Sequence, residues 1–146
     1  MRQRVFTYIT RENELLVFDH VDYKYLEPQI PGGTIEQGEE PEIAAIREAT
    51  EETGLSQFLV RNFLGSFIQD LRPIGRDETV HAWFYHLETS DQTDPRWRHF
   101  ELDPSEGTDP IEFELYWVPL TNIPKLGGID NAMLSELEES VLKASA

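Results

Sequence analysis

The chain of 146 residues contains no cysteine. That excludes a disulfide framework, a thiolate zinc site, an iron–sulfur cluster and a cysteine nucleophile. It is also poor in cations: 12 Lys and Arg stand against 28 Asp and Glu, a formal net charge of −16. Such a field repels the phosphates of duplex DNA and argues against a DNA partner. It leaves room for a small phosphate ester that arrives with divalent cations. No apolar run approaches the ~18 residues of a membrane span. The apolar start around Val5 and Phe6 turns polar by Thr10, too soon for a signal peptide. The expectation is a cytoplasmic protein with no membrane partner.

What is present suits one domain spanning 1–146, since 39% of residues are apolar and 11% aromatic. Apolar β-branched and aromatic runs at 5–9 and 15–18, separated by polar residues, predict a hairpin. Residues 21–29 read as a loop, and Gly32-Gly33 as a sharp turn. Pro41 suits a first helical position, Glu39, Glu40 and Glu42 favour the positive helix end, and Gly54 suits a left-handed stop. Two strands are expected at 58–69 and 79–88, joined by a turn at 72–75. Residues 89–110 read as a long polar loop holding a short strand at 97–102. A strand at 111–120 and a final helix, capped by Asp130 and reaching about Lys143, complete the order. Strands, helix, strands, helix predicts an α/β (α+β) fold, a mixed β-sheet sandwiched between helices.

The informative helix is the first. At 100° per residue, Glu52 lies at about +40° and Glu51 at about −60° from Glu48. Three carboxylates therefore share one face within one turn, and Ile43, Ile46, Thr50 and Thr53 gather on the other side as the expected packing face. Like charges so placed repel by about a few tenths of a kcal/mol per pair when exposed. Only Arg47 is close enough to relieve them. A hard cation would: Mg²⁺ prefers oxygen ligands and completes its shell with water and substrate phosphates. Taken alone, the three carboxylates equally fit a solvated acidic face.

The wider pattern is Gly, five residues, Glu, seven residues, Arg-Glu, an aliphatic, one residue, Glu-Glu, one residue, Gly, an aliphatic. Gly33, Glu39, Arg47, Glu48, Glu51, Glu52 and Gly54 fill every fixed position, with Ala49 and Leu55 in the aliphatic slots. This resembles the Nudix box, and the chain is similar to the Nudix hydrolase (MutT-like) family, whose domain is about this size. The resemblance implies the Nudix fold and hydrolysis of a diphosphate linkage in a small nucleotide such as a nucleoside triphosphate or nucleotide sugar. It implies Mg²⁺ (or Mn²⁺) held by Glu48, Glu51 and Glu52, with Gly33 and Gly54 structural. Arg47 would orient the carboxylates, and Glu39 would support the loop beside the metal shell. The metal would polarise phosphorus and lower the pKa of an attacking water. The general base in many relatives lies outside the box, and here Glu112 and Glu114 share one face of the late strand and fit a base, an extra ligand or plain surface carboxylates.

For the substrate end, Tyr23 and Tyr25 precede the box, and Trp97 stands between Arg96 and Arg98. Such aromatics stack on bases and such guanidiniums hold phosphates; Trp97 also reads as a plug that pins its loop. Arg72 and Arg76 are further phosphate candidates, while His81 and His86 face opposite ways on one strand and read as structural. Other readings compatible with the box are an ADP-ribose or other nucleoside-diphosphate-X pyrophosphatase, an RNA 5′-pyrophosphohydrolase and a catalytically silent ligand sensor. The missing cysteine counts against a Nudix-fold isomerase of isoprenoid diphosphates, because such relatives use a catalytic cysteine. The chain is expected to act as a monomer or homodimer.

Overall fold

A computed structural model describes residues 1–101 and 110–145. The first apolar run becomes β1 (Arg2–Arg11), which turns within two residues into β2 (Glu14–His20). A loop leads to the short β3 (Gly32–Thr34) and then to α1 (Pro41–Thr53). Next come β4 (Phe58–Asp70), a 3₁₀ turn (Arg72–Ile74) and β5 (Thr79–Thr89). The edge strand β6 (Arg96–Glu101), β7 (Ile111–Pro119) and α2 (Leu134–Ser145) complete the order. Thus part of the polar 89–110 stretch is strand; Leu102, at the end of the expected one, lies outside the described residues.

The strands form one sheet in the order β4-β5-β1-β2-β7-β6, with β3 beside β1. β1 and β5 run parallel and the other pairs antiparallel, which makes the sheet mixed. β1 is central and buried along most of its length, as its run of Val5, Phe6, Tyr8 and Ile9 requires. On one face Val5, Leu16, Phe18, Phe113 and Leu115 pack against Ala44, Ala45 and Ala49 of α1. On the other, Phe6, Leu15, Val17 and Phe84 pack with Leu137 of α2. The expected sandwich of sheet between helices is therefore observed.

One irregularity makes room for a site. β1 and β2 pair only at the hairpin end, Thr10 with Leu15 and Arg11 with Glu14. Beyond it they part, and the segment leading into β3 fills the wedge. It bridges to β2 through Gln29 and Phe18, then pairs with β1 from Gly32 to Thr34. A cleft of about 1520 Å³ opens there, lined by β1, β2, β3, α1, β6, β7 and the 127–130 turn.

Two local expectations are corrected. Of the expected packing face of α1, Ile43, Ile46, Thr50 and Thr53, only Thr53 is buried: Ile43 is 55% exposed, Ile46 half-buried, and Thr50 faces solvent. Buried with Thr53 are Ala44, Ala45, Glu48, Ala49 and Glu52. Alanines let the helix axis approach the sheet, so the carboxylate-bearing side is the side that packs. Asp130 does not cap α2, which begins four residues later; its buried carboxylate accepts the Ile30 N–H at 2.9 Å. That bond ties the turn before α2 to the segment entering β3.

Candidate active site

α1 carries most of the site. Pro41 opens it without needing a donor. Gly54, at φ 78, closes it by donating its N–H to Thr50 O, a conformation that costs a side-chain-bearing residue about 1 kcal/mol. Between them Glu48 and Glu52 are 7% and 5% exposed. A third carboxylate, Glu101 at the end of β6, reaches the same place, and ligand oxygens of the three lie within 4.8 Å of one another.

β3 accommodates this convergence. A Cβ on Gly33 would stand 2.2–2.5 Å from the carboxylate atoms of Glu48, so only glycine lets the helix settle here. The backbone N–H of Gly32 donates to Glu52 Oε1 at 3.3 Å. Arg47 holds the rest. Its Nε and Nη2 grip both oxygens of Glu39 at 2.8 and 2.9 Å. Its Nη1 donates to Glu48 at 2.9 Å and Glu51 at 3.3 Å, and Nη2 to the Thr34 carbonyl at 3.0 Å. A fork of five donors is what makes arginine fit this position. Glu39 in turn accepts the Glu36 N–H at 3.0 Å, closing the loop between β3 and α1.

The electrostatics are unbalanced. Burial, then repulsion from Glu51 and Glu101, pushes the Glu48 carboxyl up to about 7 against the pull of Arg47. Burial, with Glu101 and Glu48 beside it, holds Glu52 well above the usual carboxylate range. Glu39 is drawn down by its hydrogen bonds from Arg47. Two buried carboxyls kept from ionising next to a third are a site in want of positive charge. All-oxygen donors suit a hard divalent cation rather than a soft one, and the Gly33 cradle leaves Glu48 turned toward its neighbours. The residues fit Mg²⁺ or Mn²⁺.

The cleft holds more than carboxylates. Arg2, Arg4 and Arg76 line it beside Leu71, Ile74 and Val80. At the β2–β7 end stand Phe18, His20, Tyr23 and Phe113, with His20 edge-on to Phe113 at 5.1 Å between centroids. Burial lowers the pKa of His20.

The residues singled out from sequence divide clearly. Gly33, Glu39, Arg47, Glu48, Glu51 and Glu52 are brought together. Glu112 and Glu114 are elsewhere: on the face of β7 opposite Phe113 and Leu115, they pair with Arg98 at 3.7 Å and Arg96 at 3.3 Å. Trp97 packs against the α1-side core and donates its Nε1–H to Thr53 O at 2.9 Å, which is the plug rather than an open stacking face. Tyr25 is 81% exposed and rests on Tyr23. Arg72 is exposed and gripped by Asp70 at 2.8 Å; Arg76 lines the cleft and pairs with Glu78 at 3.2 Å. His86 sits buried between Thr10 Oγ1 and Ser140 Oγ, a link between strands and α2. The residue missed was Glu101. Alternation along β6 carries the signal, because 97, 99 and 101 share the face turned to α1.

The family model of the NUDIX domain matches residues 1–137. An RNA pyrophosphohydrolase of Brucella anthropi is 32% identical over 109 residues, 67% of this chain and 59% of that protein. The chain thus spans about 59% of the length of that curated relative. Among solved structures, a MutT NUDIX hydrolase from Burkholderia pseudomallei superposes with a TM-score of 0.66 at 19% identity, over 93% of this chain and 97% of that one. A UDP-X diphosphatase gives 0.67 at 16% identity, over 98% and 64%. These likenesses establish the fold, and the family match with the filled box on α1 establishes the membership: the chain belongs to the Nudix hydrolase family.

Proposed function

We propose that the protein is a divalent-metal-dependent hydrolase of the diphosphate linkage in a small nucleotide, a nucleoside triphosphate or nucleotide sugar. The observation that carries this is the convergence of Glu48, Glu52 and Glu101 in a cleft that is also lined by Arg2, Arg4 and Arg76 and by Phe18, His20, Tyr23 and Phe113. Glu48, Glu52 and Glu101 would hold the metal, with Glu51 completing the set from the cleft side. When bound, Mg²⁺ supplies charge neutralisation of the diphosphate and a more acidic water. The protein supplies the rest. Arg47 fixes the rotamers of Glu48 and Glu51, so that their oxygens are aimed before substrate arrives. Glu101, the carboxylate on β6 rather than on α1, closes the ligand set from the side away from the helix. Arg2, Arg4 and Arg76 bind the phosphates that are not attacked, and Phe18, His20, Tyr23 and Phe113 hold the base.

A second reading, removal of pyrophosphate from an RNA 5′ end, is favoured by the relative of that name and opposed by the net charge of −16. One panel separates them. Canonical and oxidised triphosphates, nucleotide sugars, ADP-ribose and a triphosphate-ended RNA are offered with Mg²⁺, and products are resolved. Cleavage of a small nucleotide, lost in Glu52→Gln, supports the first reading; cleavage of the RNA alone supports the second. Silence of the whole panel with Mg²⁺ and Mn²⁺ contradicts both.

A further inference from the structure

β6 is an edge strand, yet it delivers a carboxylate to the most buried part of the site. Its attachment to α1 explains how. The last carbonyls of a helix have no partner within the helix, and here two are taken by side chains of β6. Trp97 Nε1–H donates to Thr53 O at 2.9 Å, and His99 Nε2 pairs with Glu51 O at 2.7 Å. The His99 ring lies over Gly54, where a Cβ would come within 3.1 Å of two of its atoms. The glycine that ends α1 therefore also admits the ring. Two residues further along the same strand face, Glu101 reaches Glu48 and Glu52. Strand residues 97, 99 and 101, about 6.6 Å apart at each step, thus run down the helix end as an ordered ladder of two clamps and one ligand.

Given the metal-dependent reading above, we propose that Trp97 and His99 are positioning residues that set Glu101 against Glu48 and Glu52 and so complete the cation site, without touching cation or substrate. The two clamps bind main-chain oxygens, so they register β6 against α1 whatever side chains the helix carries. Among the described strands β6 pairs only with β7, so the two clamps are what tie it to α1.

The test is Mn²⁺ affinity of the metal-free full chain, measured by calorimetry without substrate. Glu101→Gln and His99→Phe are each expected to weaken binding by about tenfold, the effect typical of residues that orient metal ligands. His99→Gln, which keeps an N–H donor, recovers most of it. Trp97→Phe keeps an aromatic ring in the core while removing the indole N–H with its pyrrole ring, and weakens binding in the same direction. In a Glu101→Gln background, His99→Phe changes affinity by less than about twofold, because both act through one carboxylate. Affinity unmoved by His99→Phe and Trp97→Phe, or a loss that persists undiminished in the Glu101→Gln background, overturns the proposal. A wild-type chain that takes up no Mn²⁺, or a Glu52→Gln variant that binds it as wild type does, instead overturns the metal reading on which it rests.

Discussion

Glu48 shows how a single residue carries both function and cost. Its carboxyl is pushed up to about 7 from the ordinary 4.5 by burial beside other carboxylates. A group whose folded pKa lies above its unfolded one stabilises the fold fully below about 4.5, and that contribution is gone once the pH has risen through 7. The shift corresponds to on the order of 3 kcal/mol. Without metal, wild type should therefore lose about that much stability relative to Glu48→Gln between pH 4.5 and pH 8. Denaturant titrations in chelator check this, and parallel pH profiles for the two proteins contradict it. His86 works in the opposite sense: burial takes it down to about 4. Below 6.5 the unfolded chain takes up a proton that the folded ring linking Thr10 to Ser140 refuses until about 4, so stability falls across that window, and a His86→Gln variant should show a flatter acid limb in the same titrations.

At the scale of elements, the helix–strand contact at Gly33 is the narrowest point. Gly33→Ala places a methyl within 2.2–2.5 Å of the Glu48 carboxylate. The helix end must shift or Glu48 must turn away. A displacement near 1 Å is worth about 10²-fold in rate, so Gly33→Ala should keep its circular dichroism spectrum while hydrolysis falls by about that factor. Retention of full activity contradicts the packing described. Much of this was legible in sequence. Pro41 and Gly54 bounded α1, and the apolar runs placed the strands because a sheet buried on both faces cannot hide its composition. The buried face of α1 was not legible, since periodicity favours large apolar residues and the helix packs instead through alanines and functional carboxylates. Glu101 was hidden for a related reason: the short strand expected at 97–102 does not by itself say that its face of Trp97, His99 and Glu101 turns inward, until α1 is placed over it. Asp130 sat before a helix and looked like a cap, while its true partner, Ile30, is distant in sequence.

For the whole molecule the governing quantity is the charge of −16, within which Arg2, Arg4, Arg47 and Arg76 are gathered into one cleft. Encounter with a polyanion is slowed by the far field, while contacts inside the cleft are shielded from salt. Raising ionic strength from about 0.01 to 0.15 M shortens the screening length from about 30 to 8 Å. It should raise kcat/KM for a triphosphate-ended RNA and change it little for a mononucleotide. A fall for the RNA, as a basic nucleic-acid binder would show, contradicts this picture. The most direct test of the site is anomalous diffraction from crystals soaked in Mn²⁺. Wild type should show a peak between the carboxylates of Glu48, Glu52 and Glu101, and Glu52→Gln should not. Mn²⁺ bound only elsewhere in the wild-type protein, or bound identically in Glu52→Gln, would contradict the assignment of this cluster as the catalytic centre.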